Sequence, residues 1–309
     1  MAYPCNQGHR TADGPPIPAS ATSWAQCERL LKTAGWSDRG SSVPLAHTGL
    51  DLLPPYIGCE GIHSGLGEDV DEVIFHGGLT VGEVYELRGA TESGKTQMAL
   101  TMAASLSSRG HRVVYACSKD PPCALAERLQ AVLIAQGGGA DTVITALDHI
   151  DVLPVADFHG LARLLVALPS IGLKQNGLLL VVDTLSSIVG PYFNVESWAP
   201  RWRLTWARRA LEDFAQAHGA IVLAAVDGCS TRRGAMPEVA ENRLELMAAS
   251  RAVSSGNHCF MTRVLRVARS AMGTDGEEVE LAITSAGVCA AAHAALQTEG
   301  FMQGTAGGA

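Results

Sequence analysis

The sequence predicts an α/β fold: a doubly wound, mainly parallel sheet with an antiparallel C-terminal edge, preceded by a small N-terminal region. Two observations predict this class. Apolar, strand-like segments alternate with longer helical segments through most of the chain, as in successive βαβ units. Leu178 to Val182 is a continuous apolar run, which is typical of a strand that helices cover on both faces. A chain of 309 residues is also long enough to bury a large core.

Four segments are expected along the chain. Residues 1–22 are rich in proline and small polar residues, which predicts a flexible tail. A small helical region and a linker are expected over residues 23–60, where Ser23 is placed to cap one short helix. The α/β core is expected over residues 61–287, and residues 288–309 are expected to form a flexible C-terminal tail.

The elements of the core follow from local patterns taken in order. Pro121 suits the first turn of a helix, where its missing N–H costs nothing. The short turn over 272–276 predicts an antiparallel hairpin between the last two strands. Strands are predicted at 84–87, 112–117, within 142–152, and at 178–182, 220–226, 258–268 and 277–284. Helices are predicted at 97–104, 121–135, 158–168 and 200–217.

A complete G-x-x-x-x-G-K-[ST] phosphate-binding motif lies between the first predicted strand and helix: Gly89, Ala90, Thr91, Glu92, Ser93, Gly94, Lys95 and Thr96. This context directs backbone N–H groups and the positive end of the helix dipole at phosphate oxygens. Lys95 is expected to reach the β- and γ-phosphates, and the Thr96 hydroxyl is expected to bind Mg²⁺. The motif therefore predicts ATP and Mg²⁺ as cofactors, with Lys95 also acting in catalysis.

Asp183 follows the apolar run and predicts a second carboxylate on the Mg²⁺ side of the nucleotide. Sheet topology brings the carboxyl ends of such strands to the phosphate loop. Asp183 would then act on the metal through water or through Thr96. The alternative is a helix-capping or turn aspartate, because Thr184, Leu185 and Ser186 follow it.

Charge is distributed unevenly over this chain. The formal net charge is −8, which argues against wholesale non-specific binding of nucleic acid. The stretch from Arg201 to Arg269 nevertheless holds eleven arginines against six acidic residues, so it is a candidate surface for a polyanion. Apolar runs are all shorter than about 18 residues, so we expect no membrane span.

The order of motifs over about residues 61–287 resembles the RecA/RadA recombinases. The resemblance starts with a glycine-rich entry to the phosphate loop at 61–83. It continues through the acid-ended strand at 178–183 and an arginine-bearing strand at 263–269. Within that family the chain is most similar to the eukaryotic recombinase paralogs. The short N-terminal region and the segment 150–168 point among these to the D-type paralog.

This resemblance implies an ATP-binding protein of the nucleus that acts in DNA recombination and DNA repair after DNA damage. It implies binding of single-stranded or branched DNA within a hetero-oligomer of sister paralogs. Hydrolysis of ATP would be DNA-dependent and weak. The alternative is a non-catalytic scaffold that binds nucleotide to hold a paralog complex together while sister subunits do the chemistry.

Two positions depart from the pattern of the recombinases. Lys119 stands near the end of the second strand, where the family usually has an acidic residue that activates water. Asp120 is the nearest acid and becomes the candidate catalytic residue, while Lys119 is either part of the site or a solvated cation. Asp227 is either the polar sensor expected after the 220–226 strand or a turn residue before Gly228.

By order in the chain, residues 190–199 and 228–257 correspond to the two loops that recombinases direct at DNA. The first holds Tyr192, Phe193 and Trp198, which are candidates for stacking on single-strand bases. The second holds the candidate DNA-binding arginines, Arg232, Arg233, Arg243 and Arg251. These arginines are alternatively solvated or ion-paired, because Glu238, Glu241 and Glu245 are close in sequence.

Two aromatic features of the long predicted helix have simpler interpretations. The segment 214–217 matches the F-x-x-A polymerisation motif of the recombinases, but it lies within a core helix, so Phe214 is expected to pack in the core. Trp202 and Trp206 are spaced one helical turn apart and are expected to make core or subunit contacts.

Overall fold

The computed structural model of this chain describes residues 61–171, 177–189, 199–228, 238–255, 258–271, 275–284 and 286–291. Contacts divide the chain into two units, and every described residue lies in the second, Gly58–Ala309. The predicted tail of residues 1–22, the N-terminal region 23–60 and the end of the chain after residue 291 lie outside the described residues.

The described residues form one nine-stranded sheet with the spatial order β3-β2-β4-β5-β1-β6-β7-β8-β9. Its strands are β1 Val84–Gly89, β2 Arg112–Cys117, β3 Ile150–Pro154, β4 Leu178–Asp183, β5 Ala220–Asp227, β6 Asn242–Ser255, β7 His258–Arg269, β8 Glu278–Thr284 and β9 Gly287–Ala290. The six strands from β3 to β6 in this order pair in parallel, and β6 to β9 pair antiparallel. The predicted fold class, including the antiparallel C-terminal edge, is confirmed.

Helices cover both faces of the parallel part of the sheet. They are α1 Glu68–Val73, α2 Lys95–Ser108, α3 Pro122–Ala135, α4 Ala140–Asp148, α5 Phe158–Ala167, α6 Leu185–Val189 and α7 Ala199–His218, with a 3-10 turn at Leu168–Ile171. α2 packs with α3 and α4, whereas α5 packs with α6 and α7. These two groups are the outer layers of a doubly wound fold.

The centre of the core is the β4 strand. All six of its residues are buried because β2 and β5 pair with its two edges and helices cover its faces. Tyr115 of β2 and Val181 of β4 belong to the same buried apolar cluster as Met98 and Leu100 of α2, and α2 contacts both strands. This packing fixes α2, and with it the loop that precedes α2, against the carboxyl end of the sheet.

The C-terminal edge differs from the sequence prediction in two ways. The stretch 228–257, predicted as a DNA-directed loop, contains the 14-residue strand β6, which pairs in parallel with β1. Leu244 and Leu246 alternate on the buried side of this strand, so burial of apolar side chains favours a strand despite the charged residues between them. β9 extends the sheet to Ala290, three residues beyond the core boundary expected at 287.

Aromatic side chains fix α7 to its neighbours. The rings of Phe158 and Trp206 pack edge to face with centroids 4.9 Å apart, which ties α5 to α7. Trp206 and Phe214 are both buried, so their predicted core roles are confirmed; the side chain of Trp202 lies outside what the structure describes. Among the described residues, the helices are too short or too polar to cross a bilayer.

Candidate functional site: a nucleotide-binding loop at the carboxyl end of the sheet

The phosphate-binding motif forms the turn between β1 and α2. β1 ends at Gly89, and α2 begins at Lys95 after Gly94. Gly94 has a positive φ of 108°, and a Cβ at this position would lie only 2.7 Å from Cδ1 of Ile283. The positive φ is what requires glycine; the contact could be relieved by a shift of the Ile283 side chain. The predicted strand, loop and helix are therefore present in the geometry that binds phosphate groups.

Lys95 lies inside this loop. Its side chain is 5% exposed, and Nζ donates hydrogen bonds to the carbonyl oxygens of Gly89 (2.9 Å) and Ala90 (2.8 Å). Nζ also lies 3.1 Å from Oδ1 of Asp227, at the end of β5. These three oxygens hold the ammonium group at the mouth of the loop. Phosphate oxygens of a bound nucleotide could take their place as its hydrogen-bond acceptors.

Asp227 also binds the second lysine of the site. Lys119 Nζ donates to Oδ2 of Asp227 at 2.9 Å. Burial alone would raise the pKa of the Asp227 carboxyl group, but hydrogen bonds from Lys119 and Lys95 outweigh burial and hold this pKa below its usual value. Asp227 is thus an ionised member of the site.

The backbone places Lys119 beside the strand that carries Asp183. The Ser118 N–H donates to the carbonyl oxygen of Asp183 at 2.8 Å, and Ser118 Oγ accepts from the Thr184 N–H at 2.9 Å. These bonds join the carboxyl ends of β2 and β4. Lys119 therefore starts at the edge of the sheet and reaches Asp227 at the end of β5.

Asp183 is the buried carboxylate of the site. Its side chain is 7% exposed, and Oδ2 accepts a 2.7 Å hydrogen bond from the phenol of Tyr115 on β2. Burial, followed by the nearby Asp183 charge, raises the pKa of Tyr115 well above its usual value, so the phenol stays a donor. Sequence reasoning missed Tyr115 because a buried tyrosine in a strand gives no local signal of a polar partner.

A cavity of about 310 Å³ brings these residues together. Its lining includes Lys95, Thr96, Lys119, Asp183 and Asp227. The sequence-predicted metal ligands, Thr96 and Asp183, therefore line the same cavity as the phosphate loop.

Asp120, the candidate catalytic acid, also lines this cavity. Its carboxylate pairs with Arg128 of α3 at 3.2 Å and is 46% exposed. Arg128, which the sequence reasoning did not identify, contributes a further cation to the cavity wall and also donates to the Gln97 side chain at 3.3 Å.

The loop has the donors and the space that a nucleotide requires. Ser93 Oγ is buried without a hydrogen-bond partner, but Ser93 is not among the residues that line the cavity, so the fit rests on the groups that do line it. The first N–H groups of α2 have no partner within the helix and point toward the loop. A hydroxyl from Thr96 and a carboxylate from Asp183 are hard oxygen donors of the kind that Mg²⁺ takes beside phosphate oxygens. The residues present fit ATP and Mg²⁺.

A distant arginine supports the phosphate loop and was missed by sequence reasoning. Arg263 on β7 donates from Nε to the carbonyl oxygen of Ser93 at 2.8 Å and from Nη2 to that of Glu92 at 3.4 Å. Glu92 has a positive φ of 64°, which is unusual for a residue with a side chain. The antiparallel part of the sheet therefore holds the loop in a conformation that the loop residues do not favour alone.

The predicted DNA-binding arginines are only partly described. Arg232 and Arg233 lie outside the described residues, as do Tyr192, Phe193 and Trp198. Arg251 is in β6, and its side chain is not described.

Arg243 is engaged inside the fold. Its side chain is 16% exposed and forms an ion pair with Glu238, which also pairs with Arg269 at 3.3 Å. A hydrogen bond from Arg243 lowers the pKa of Glu238. Of the two interpretations of Arg243, a DNA contact or an ion pair, the structure shows the ion pair.

Comparisons with known proteins place this geometry among characterised folds. No protein-family model and no curated protein matches the sequence. The chain is similar in structure to the crystal structure of the RadB recombinase, with a TM-score of 0.57 and 19% sequence identity over 72% of this chain and 96% of that one. At this identity the similarity is one of fold. Together with the strand order and the phosphate loop at the carboxyl edge, it shows that this chain has the RecA/RadA-like recombinase fold.

Proposed function

We propose that this chain is an ATP-binding recombinase paralog that acts in homologous-recombination DNA repair in the nucleus. It would bind single-stranded or branched DNA as one subunit of a hetero-oligomer of sister paralogs, and the D-type paralog is the subgroup that its sequence resembles most. ATP hydrolysis would be weak and stimulated by DNA.

One observation carries this proposal. Lys95 and Thr96 of the phosphate loop line the same cavity as Asp183, at the carboxyl end of a parallel sheet with the RecA-like strand order. A nucleotide bound there would meet a loop lysine, a hydroxyl and a carboxylate, which is the set of groups that phosphoryl-transfer proteins use. The similarity in fold to a recombinase supports DNA recombination as the process that such a site serves.

Nucleotide binding is tested by titrating the protein with ATP and Mg²⁺ in a calorimeter. The wild-type protein should bind ATP, and Lys95→Ala should lose at least about a hundredfold in affinity because the phosphate charge loses its cation. Lys95 is buried, so thermal unfolding of the variant must first show that it folds. Wild-type affinity in a folded Lys95→Ala protein would overturn the assignment of the loop.

DNA binding is tested by the salt dependence of the affinity for single-stranded DNA. Each phosphate contact adds about 0.7 to the slope of log affinity against log salt concentration, so Arg232→Ala with Arg233→Ala should flatten the slope and weaken binding. Arg163→Ala is the control, because Arg163 is an exposed cation on α5. An unchanged slope in the double variant would remove these two arginines from the proposed DNA surface.

Lys119 favours a second candidate, a non-catalytic scaffold subunit. Lys119 follows β2, and its ammonium group, which is paired with Asp227, is not a base that could activate water. In that case nucleotide would hold a subunit interface, and sister subunits would hydrolyse ATP. Turnover measured with and without single-stranded DNA separates the two candidates, and co-elution with sister paralogs tests the assembly that both require.

A further inference from the structure

One carboxylate of the nucleotide cavity is shared by two lysines from different parts of the sheet. Asp227 presents Oδ1 to Lys95 at 3.1 Å and Oδ2 to Lys119 at 2.9 Å. Lys95 is buried within the phosphate loop, whereas Lys119 is 52% exposed and has a flexible four-carbon stem. The two ammonium groups therefore flank the same acid, one buried and one half-exposed.

An ionised Asp227 beside a polyphosphate requires compensation. Its carboxylate would repel phosphate oxygens at the mouth of the loop. Lys95 already contacts two loop carbonyl oxygens and Asp227, so it could not bind phosphate and keep all of these contacts. When Lys95 turns to phosphate, Lys119 remains to neutralise Asp227 and to add a donor to the site.

Lys119 lines the cavity at the carboxyl edge of the sheet, where β2, β4 and β5 end. Loop amides of this kind cradle the inner phosphates of a nucleotide, so the γ-phosphate of a bound triphosphate would extend toward the ends of the neighbouring strands. Lys119 stands at that edge, because Ser118 ties its backbone to Asp183 on β4 and its ammonium group reaches Asp227 on β5.

We propose that Lys119 is a ligand of the γ-phosphate and makes the site prefer a nucleoside triphosphate over a diphosphate. This inference rests on the proposed function, since it requires nucleotide in this loop. With Asp227 as its anchor, Lys119 would bind the γ-phosphate through a charge-assisted hydrogen bond that a diphosphate cannot form. The same ammonium group would hold the triphosphate without activating water for its hydrolysis.

The test compares the affinities of a non-hydrolysable ATP analogue and of ADP, both with Mg²⁺, by calorimetry. The wild-type protein should bind the analogue more tightly than ADP. Lys119→Met should weaken binding of the analogue about tenfold or more and change the ADP affinity by less than about threefold, because it removes one charged contact to the terminal phosphate. Lys119→Arg keeps the charge and should retain most of the preference.

Arg163→Met is the matched control, because it removes an exposed cation from α5, outside the cavity lining. It should leave both affinities as in the wild-type protein. Equal losses for both nucleotides in Lys119→Met, or no loss, would show that Lys119 is only an ion-pair partner of Asp227 and would overturn the inference. A wild-type protein that binds neither nucleotide would overturn the proposed function as well, so the two failures are distinct.

Discussion

Tyr115 donates a 2.7 Å hydrogen bond to Asp183, the carboxylate at the end of the central strand. The two residues lie on neighbouring strands, where Tyr115 pairs with Val181 and Cys117 pairs with Asp183. One oxygen of the candidate metal ligand is therefore held by a buried phenol, which fixes the direction of the carboxylate. Groups that orient a metal ligand through a hydrogen bond often matter as much as the ligand itself.

Tyr115→Phe should lower both stability and the effect of Mg²⁺ on nucleotide affinity. Loss of the hydrogen bond leaves Asp183 buried without this donor and should cost about 1–3 kcal/mol of unfolding free energy in urea. Tyr85→Phe is the control: Tyr85 is also buried and accepts from the Thr80 N–H at 2.9 Å, but its hydroxyl bonds a turn outside the cavity lining. A Mg²⁺ dependence that is the same in Tyr115→Phe and wild type would show that the phenol does not orient the metal ligand.

The same tyrosine predicts a loss of stability at alkaline pH. The folded-state pKa of Tyr115 is raised by burial and by Asp183, so its contribution to stability is complete below the unfolded pKa of about 10. As pH rises above 10 toward the folded pKa, only the unfolded chain loses this proton, and stability falls by about 1.4 kcal/mol per pH unit. Urea unfolding between pH 8 and 11 should therefore show wild type losing its advantage over Tyr115→Phe. A constant difference would contradict the raised pKa.

The central strands β4 and β5 could be predicted from the sequence because burial on both faces leaves a continuous apolar run, as in Leu178–Val182. β6 was missed because Arg243 and Glu245 alternate with buried leucines, and charged residues at that spacing also fit an exposed loop. The residues of the phosphate loop could be predicted because the spacing of the motif at 89–96 is local in the sequence. The contact between Lys119 and Asp227 did not, because 108 residues separate them and only the sheet order brings them together.

A buried glutamate holds the segment that leads into β6. Glu86 on β1 is fully buried, and its Oε2 accepts from the N–H groups of Val239 (2.7 Å) and Ala240 (3.3 Å). Its other oxygen pairs with Arg88. The residues just before β6, inside the 228–257 stretch, are therefore anchored on the strand that leads into the phosphate loop.

Glu86→Ala should destabilise the protein by about 3–5 kcal/mol, because it leaves Arg88 and two backbone donors without their buried acceptor. Denaturant unfolding measures this loss. Glu280→Ala on β8 is the control: Glu280 is an exposed strand residue, so its loss should stay within about 0.5 kcal/mol. Equal, small effects in both variants would mean that water replaces Glu86 at little cost.

Arg263→Met should weaken binding of both ATP analogues and ADP. Arg263 bonds the carbonyl oxygens of Ser93 and Glu92, so its removal loosens the loop that cradles the phosphates common to both nucleotides. Arg266→Met on the same strand is the matched control, because Arg266 is half-exposed and its partner is Glu278. Calorimetry should show a loss that does not distinguish the two nucleotides, unlike that of Lys119→Met. A loss confined to the triphosphate would contradict a role for Arg263 in holding the loop.

ATP hydrolysis by the wild-type chain should be slower than about 1 s⁻¹, the low end of ordinary enzyme turnover. Beyond the end of β2, Ser118 bonds the backbone of Asp183 and Lys119 comes next, where an acid would be needed; the nearest acid, Asp120, is paired with Arg128. Asp120→Asn should therefore change the slow rate little, as measured by phosphate release with and without single-stranded DNA. Its ATP affinity serves as the control, and it should match that of wild type. A large loss of rate at unchanged affinity would instead assign Asp120 as the general base, and a fast wild-type enzyme would contradict the role given to Lys119.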